Sequence, residues 1–154
     1  MHQPLQEAIH QRKFRNIHQE VQINIIYTSS WIVDIHQKIF KKYGLSSQQY
    51  NVLRILRGAL PEALSPGLIK SRMLDRMSDT SRIVERLRKS GLIKRTTNSS
   101  DRRVAKITIS EKGLALLSEM ESEEKNMDKV SHALTDEEIA MLNQLLNKMR
   151  SVTL

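Results

Sequence analysis

The 154-residue chain contains no cysteine. A disulfide frame, a thiolate zinc site and a thiol-based redox sensor are all excluded with it. Aromatic residues are scarce as well, 4% of the chain, with one Trp, two Phe and three Tyr. No apolar run approaches the roughly 18–20 residues of a membrane-spanning helix. The opening residues, MHQPLQEAIHQRKF, lack the apolar stretch of a secretory signal. There is no Gly-rich phosphate loop, no G-x-S-x-G elbow and no H-E-x-x-H helix, so nothing supports an enzyme. These absences lead to the expectation of a cytoplasmic, non-enzymatic protein with no membrane segment, cofactor or structural metal.

What the chain has in excess is positive charge, +8 in all, with a sequence pI of about 9.9. The charge is not spread evenly. Residues 66–113 hold 13 Lys/Arg against 5 Asp/Glu, residues 1–65 hold 8 against 4, and residues 114–154 hold 4 against 8. A compact segment this basic is first a nucleic-acid candidate. A membrane surface is the weaker reading, because it calls for bulky apolar residues opposite the basic face.

The basic segment reads helix, helix, strand, turn, strand. Between Ser78 and Ser90 a turn of about 100° per residue places Thr80, Ile83, Val84 and Leu87 on one side. Ser78, Arg82, Glu85, Arg86 and Lys89 fall on the other. Ser78 is the expected N-cap with Asp79 in the first turn, and Gly91 stands where a C′ glycine belongs. Ala105, Ile107 and Ile109 then alternate with Val104, Lys106 and Thr108, a period-two strand pattern. Asn98 to Asp101 supply turn chemistry. Arg102 and Arg103 stand at the tip of the resulting hairpin, flanked by Lys94, Arg95 and Lys106. A narrow arginine-tipped ribbon suits the minor groove of duplex DNA.

The rest of the chain reads as helices. Phe14, Ile17, Val21, Ile25, Thr28, Ile32, Ile35 and Ile39 predict a helix over 14–42, behind an unstructured 1–12. Further apolar residues, including Ile26, Val33 and Phe40, give that helix more apolar surface than one contact face needs. A Ser46/Gln49 capping box opens the next helix, with Leu53, Leu56 and Leu60 on its inner face. Ser65–Pro66 starts a third, with Leu68, Ile69 and Met73 as core contacts. Ser110 caps a helix from Glu111 toward Lys129, whose stretch from Glu119 to Lys125 is expected to be a solvated arm. A Thr135/Glu138 capping box starts a last helix carrying Ile139, Leu142, Leu145, Leu146 and Met149. Two apolar terminal helices around a DNA-reading module predict a homodimer.

The run DRRVAKITISEKG (Asp101 to Gly113) resembles the D-x-R-x5-L-T-x2-G signature of MarR-type winged helix-turn-helix regulators. Asp101, Arg103 and Gly113 match, while Ile109 and Ser110 replace the usual Leu and Thr. SRIVERLRKSGLIKR upstream is similar to the family's recognition helix and first wing strand. The resemblance spans roughly residues 45–117. It implies a mainly α fold with a small β-hairpin wing (α+β), in a single domain over 1–154. In it a winged helix-turn-helix at 45–113 is flanked by N- and C-terminal dimerisation helices at 14–42 and 111–150. The implied protein is a homodimeric, ligand-responsive transcriptional regulator, a repressor on a near-palindromic operator. Ser78, Arg82 and Arg86 are the expected base contacts, with Lys89, Arg76 and Lys70 on phosphates. Arg103, beside Arg102, is expected in the minor groove, and the family motif implies that Asp101 orients it.

The resemblance also implies an inducer site between the long helices and the DNA-binding module. Tyr27, Trp31, His36 and Tyr50 combine a ring with a polar handle and are its candidate residues for a small aromatic or phenolic effector. His10 and His18 with Glu7 or Glu20 make a weaker case for a metal, surface histidines being commoner. The rival readings are a sequence-tolerant architectural DNA-binding protein and a winged-helix protein-interaction module without DNA binding.

Overall fold

The computed structural model describes residues 4–97 and 105–152. Residues 98–104, which carry the expected turn and Asp101, Arg102 and Arg103, lie outside the described residues. The architecture is mainly helical with one two-stranded antiparallel hairpin.

A short helix, α1 (Leu5–Ala8), forms behind Pro4 in the stretch expected to be unstructured. The long helix α2 (Ile17–Lys42) starts three residues after Phe14, because a capping side chain sets its start. The Asn16 side-chain Oδ1 accepts from the Gln19 N–H at 2.9 Å, and the Gln19 side-chain Oε1 accepts in return from the Arg15 N–H. Helix α3 (Ser47–Gly58) opens on the expected reciprocal Ser46/Gln49 box. It buries Val52, Leu53 and Leu56 completely or nearly so. Leu60 is not on its inner face, since the helix stops at Gly58 and leaves that side chain exposed.

Helix α4 (Pro66–Arg72) is capped by the Ser65 hydroxyl, which accepts from the Leu68 N–H. Ile69 is buried and Leu68 is exposed, a correction to the expected core. The two are adjacent, about 100° apart, and a two-turn helix with one inner face buries only one of them. Helix α5 (Thr80–Lys89) follows a seven-residue turn. Strands β1 (Ile93–Thr97) and β2 (Ala105–Ile109) pair with Ile93 opposite Ile109 and Arg95 opposite Ile107. Leu64 adds a bridge to the hairpin, exchanging hydrogen bonds of 2.9 and 2.8 Å with Ile107.

Ser110 locks the hairpin to the next helix, α6 (Glu111–Glu119). Its hydroxyl donates to the Gly91 carbonyl at 2.7 Å and caps α6 by accepting from the Gly113 N–H at 3.0 Å. The expected single helix over 111–129 is divided at Met120. Helix α7 (Glu121–Asp128) and a 3-10 turn (Lys129–Ser131) continue beyond it. Met120 is 1% exposed, so the break sits where the chain is anchored in the core. Helix α8 (Asp136–Arg150) opens on the expected Thr135/Glu138 capping box.

The core gathers Leu53, Leu56, Ile69, Leu87, Ile107 and Met120, all almost wholly buried. Each such side chain contributes about 1.5–3 kcal/mol relative to exposure. This core belongs to α3–α6 and the hairpin. Helix α2 joins it only through its last turns, at Ile39 and Phe40, and α8 buries no residue.

Candidate nucleic-acid interface

Helix α5 is stopped at both ends by hydrogen bonds that leave little freedom in its aim. Asp79, not Ser78, is the N-cap; its carboxylate accepts from the Arg82 N–H at 3.1 Å. The Ser78 hydroxyl is engaged instead by Asp75, at 2.7 Å, and the other Asp75 oxygen accepts from the Met77 N–H at 3.0 Å. These hydrogen bonds, first that of Ser78 and then that of Met77, hold the Asp75 carboxyl below its ordinary pKa. At the far end the Leu92 N–H reaches the Leu87 carbonyl at 3.0 Å and the Gly91 N–H reaches Arg88 at 2.9 Å. This is a Schellman stop, and Gly91 takes the left-handed conformation it requires, φ 72°.

Between these stops the expected division of faces is present. Thr80, Val84 and Leu87 are buried, Ile83 is half-buried, and Arg82, Arg86 and Lys89 are exposed. The cations are not equivalent. Arg88 is held by Glu85 through two hydrogen bonds of 3.0 and 2.9 Å. The same contacts lower the Glu85 pKa. Arg82 pairs with Asp79 at 3.2 Å but keeps 81% of its side chain exposed. Among the described residues the Arg86 and Lys89 side chains have no partner. Lys70 on α4, Arg76 in the turn, and Lys94, Arg95 and Lys106 on the hairpin are exposed too. Helix, turn and hairpin strands therefore present one basic sequence of surfaces. Asp101, Arg102 and Arg103 lie outside the described residues.

A model of the MarR family matches residues 43–104. The HTH-type transcriptional regulator PecS of Dickeya dadantii (strain 3937) is 32% identical over 116 residues, spanning 73% of this chain and 69% of PecS. The chain belongs to the MarR family. A MarR transcription factor from Planctomyces limnophilus is similar in structure at a TM-score of 0.68 and 30% identity, over 88% of this chain and 98% of that one. BpsR of Bordetella bronchiseptica, whose DNA binding is regulated by 6-hydroxynicotinic acid, reaches a TM-score of 0.75 at 25% identity, over 86% and 99%. The chain is thus a transcriptional regulator with a winged helix-turn-helix DNA-binding fold, and not an enzyme.

This MarR-family chain has a cavity of about 540 Å³ where α2, α3 and the turn before α5 meet. His36, Phe40, Tyr50, Arg54 and the segment Met73–Asp75 line it. Phe40 and Tyr50 stack with ring centroids 4.3 Å apart. The Arg54 guanidinium donates to the Tyr50 hydroxyl at 3.0 Å and also pairs with Glu124. Burial works against the Arg54 charge, but these two partners leave its pKa raised. His36 Nε2 is buried with no hydrogen-bond partner. Of the four expected effector residues, His36 and Tyr50 meet here; Tyr27 and Trp31 do not and remain 41% and 46% exposed. Helical geometry explains the division. Nine residues separate Tyr27 from His36 and five separate Trp31 from it, which places them about 180° and 140° around α2. Arg54 is the cationic pocket residue that the sequence reading missed, along with the apolar and polar lining. Its signal was the (i, i+4) spacing from Tyr50.

A second, open groove of about 690 Å³ lies between α2 and α8, walled by Val21, Ile25, Ile32, Leu142, Leu145 and Met149. Helix α7, expected to be a solvated arm, is instead docked by charge. Glu121, Glu123 and Glu124 pair with Arg57, Lys42 and Arg54 on α3 and α2. Among the described residues no helix is long and apolar enough to cross a membrane.

Proposed function

We propose that the chain acts as a homodimeric repressor that binds a near-palindromic operator and releases it on binding a small aromatic acid. The observation that carries the DNA part is α5, a capped helix whose apolar face is buried while Arg82, Arg86 and Lys89 face outward. In this reading residues 45–113 are the DNA-binding module, with 14–42 and 111–150 as dimerisation helices. Arg82 and Arg86 contact base edges, and Lys89, Arg76 and Lys70 contact phosphates. Ser78 serves mainly to hold the turn, its hydroxyl being committed to Asp75. Arg103, with Arg102 beside it, enters the minor groove and Asp101 orients it. The open apolar faces of α2 and α8 support the homodimer.

The cavity beside His36 supports the effector. It is lined by stacked rings and apolar side chains, with a guanidinium and an unpartnered imidazole nitrogen, a set that suits an aromatic ring bearing a carboxylate. BpsR, regulated by 6-hydroxynicotinic acid, is a precedent in a similar structure. One wall of the cavity is Met73–Asp75, and Asp75 holds the turn that sets the start of α5. An occupant pressing on that wall shifts the recognition helix.

Anisotropy titrations test this reading, using a duplex selected from a random pool by the full-length protein and a scrambled control. The selected duplex should bind at least ~10³-fold more tightly at physiological salt. 6-Hydroxynicotinic acid, or another aromatic acid in a panel, should weaken that binding. Equal binding to both duplexes would replace the repressor by an architectural DNA protein.

A further inference from the structure

Met77 is the most exposed large apolar side chain among the described residues, at 93%. It lines none of the cavities described above and takes no part in the core. Single exposed apolar residues need no explanation of their own. Met77 differs from such residues in two ways. Its backbone is pinned, the N–H held by Asp75 at 3.0 Å and the next residue held through both its hydroxyl and its N–H. It also stands two residues before the Asp79 cap, at the end of α5 that leads into a major groove. A flexible thioether is thus displayed on a fixed turn, with exposed Arg72 and Arg76 before it to engage phosphates and exposed Arg82 after it on the base-reading face.

We propose that Met77 reads a thymine, by packing its thioether against the C5 methyl group that projects into the major groove. The inference rests on the DNA reading above and adds a specificity contact that hydrogen-bonding residues do not supply. Thymine is the base that offers an apolar group on that edge. An unbranched, polarisable side chain adapts to a methyl surface without demanding one fixed geometry. Arg82 and Arg86 favour guanine. Met77 therefore extends recognition to an A·T pair beside the pair or pairs that those arginines read.

The test uses the full-length protein and the duplex it selects from a random pool. Each thymine is replaced in turn by deoxyuridine, which removes the methyl group and keeps every hydrogen-bonding edge. One position per half-site should weaken binding by about four-fold, the equivalent of one buried methyl. Met77→Ala, which alters both subunits, should bind the parent duplex about as weakly as the wild type binds a duplex with uridine at that position in both half-sites, and should no longer distinguish the two. Met77→Leu should keep the discrimination. Indifference of the wild type to uridine at every position overturns the contact. So does a Met77→Ala variant that discriminates as well as the parent, since the methyl would then act through DNA shape. Loss of dimerisation in Met77→Ala overturns it too, by assigning the side chain to a protein partner. A chain that selects no duplex at all overturns the DNA reading first, and this contact with it.

Discussion

Helices α5 and α8 carry apolar stripes of the same kind, spaced three and four residues apart, yet their fates differ. Helix α5 buries Thr80, Val84 and Leu87 against its own chain. Helix α8 buries nothing, leaving Met141, Leu142, Leu145 and Met149 between 44% and 56% exposed. Periodicity says which face of a helix needs covering and is silent on what covers it. For α5 the cover is α3, α4 and the hairpin. For α8 no element among the described residues supplies it, and the proposed second copy would. If so, damage to the first region should be read in folding and damage to the second in association.

The largest effect belongs to the folded module, at Gly113. A Cβ there would lie 2.3 Å from the Leu92 carbonyl oxygen and 2.8 Å from Ile109 Cγ1. A backbone carbonyl has no rotamer by which to move aside. Gly113→Ala should therefore cost about 3 kcal/mol or more, at or beyond the upper end of ordinary overpacking. Leu87→Ala should cost about 2–5 kcal/mol by leaving a cavity in the same core. Urea unfolding followed by circular dichroism measures both. Replacing Leu142 and Leu145 together by Asp should instead leave the module's unfolding within about 0.5 kcal/mol of the parent, as for other surface changes. Sedimentation of this variant should fall from about twice 17.8 kDa to 17.8 kDa. A double variant that unfolds early but stays dimeric would reverse the contrast between the two regions.

Within the module the contrast narrows to individual cations. Arg86 has no partner among the described residues and Arg88 is held by Glu85. Arg86→Ala should cost about 1–3 kcal/mol at one base pair of each half-site and relax discrimination there. Arg88→Ala should change affinity far less. Lys70→Ala should weaken binding to all duplexes alike and lower the magnitude of the salt slope by about 0.9. Operator titrations at several salt concentrations separate the three.

The sequence was most informative where a rule is local. The capping boxes of α3 and α8, the Ser65–Pro66 start, the Gly91 stop and the burial of Ile107 and Ile109 all follow from side chains within a few residues of one another. It was least informative where close neighbours compete for one contact, or where the partner is distant in sequence. Asp79 took the N-cap assigned to Ser78 because Asp75 had already engaged that hydroxyl. Leu68 lost its core place to its neighbour Ile69. The reason for a glycine at position 113 is the Leu92 carbonyl, 21 residues away in sequence. Family resemblance marked that glycine, and only the packing explains it. The cavity was half legible: His36 and Tyr50 were found, while Tyr27 and Trp31 were grouped with them by chemistry against their spacing around α2. The α7 ion pairs were not legible, since Glu121 and Glu124 meet arginines 64 and 70 residues away.

The smallest effect, and the one that locates the seam between the two regions, concerns Glu123. Its carboxyl is held below the ordinary glutamate pKa, first by the Asn126 side-chain amide and then by Lys42, whose ammonium donates at 3.1 Å. A carboxyl whose folded pKa is lowered contributes stability that is present above its unfolded value and is lost as pH falls through the folded one. Docking of α7 against α2 should therefore be complete at neutral pH and loosen only below the usual carboxylate range. Glu123→Gln should remove this dependence, leaving the variant slightly less stable than the parent at pH 7 and equal to it at low pH. Hydrogen exchange of the α7 amides, compared between the two proteins across that range, reads the effect locally. The amides of α5 serve as the control. A difference that persisted unchanged into acid would mean that the Glu123 contact acts through packing, not charge, and α7 would then belong with the folded module on one side of the seam.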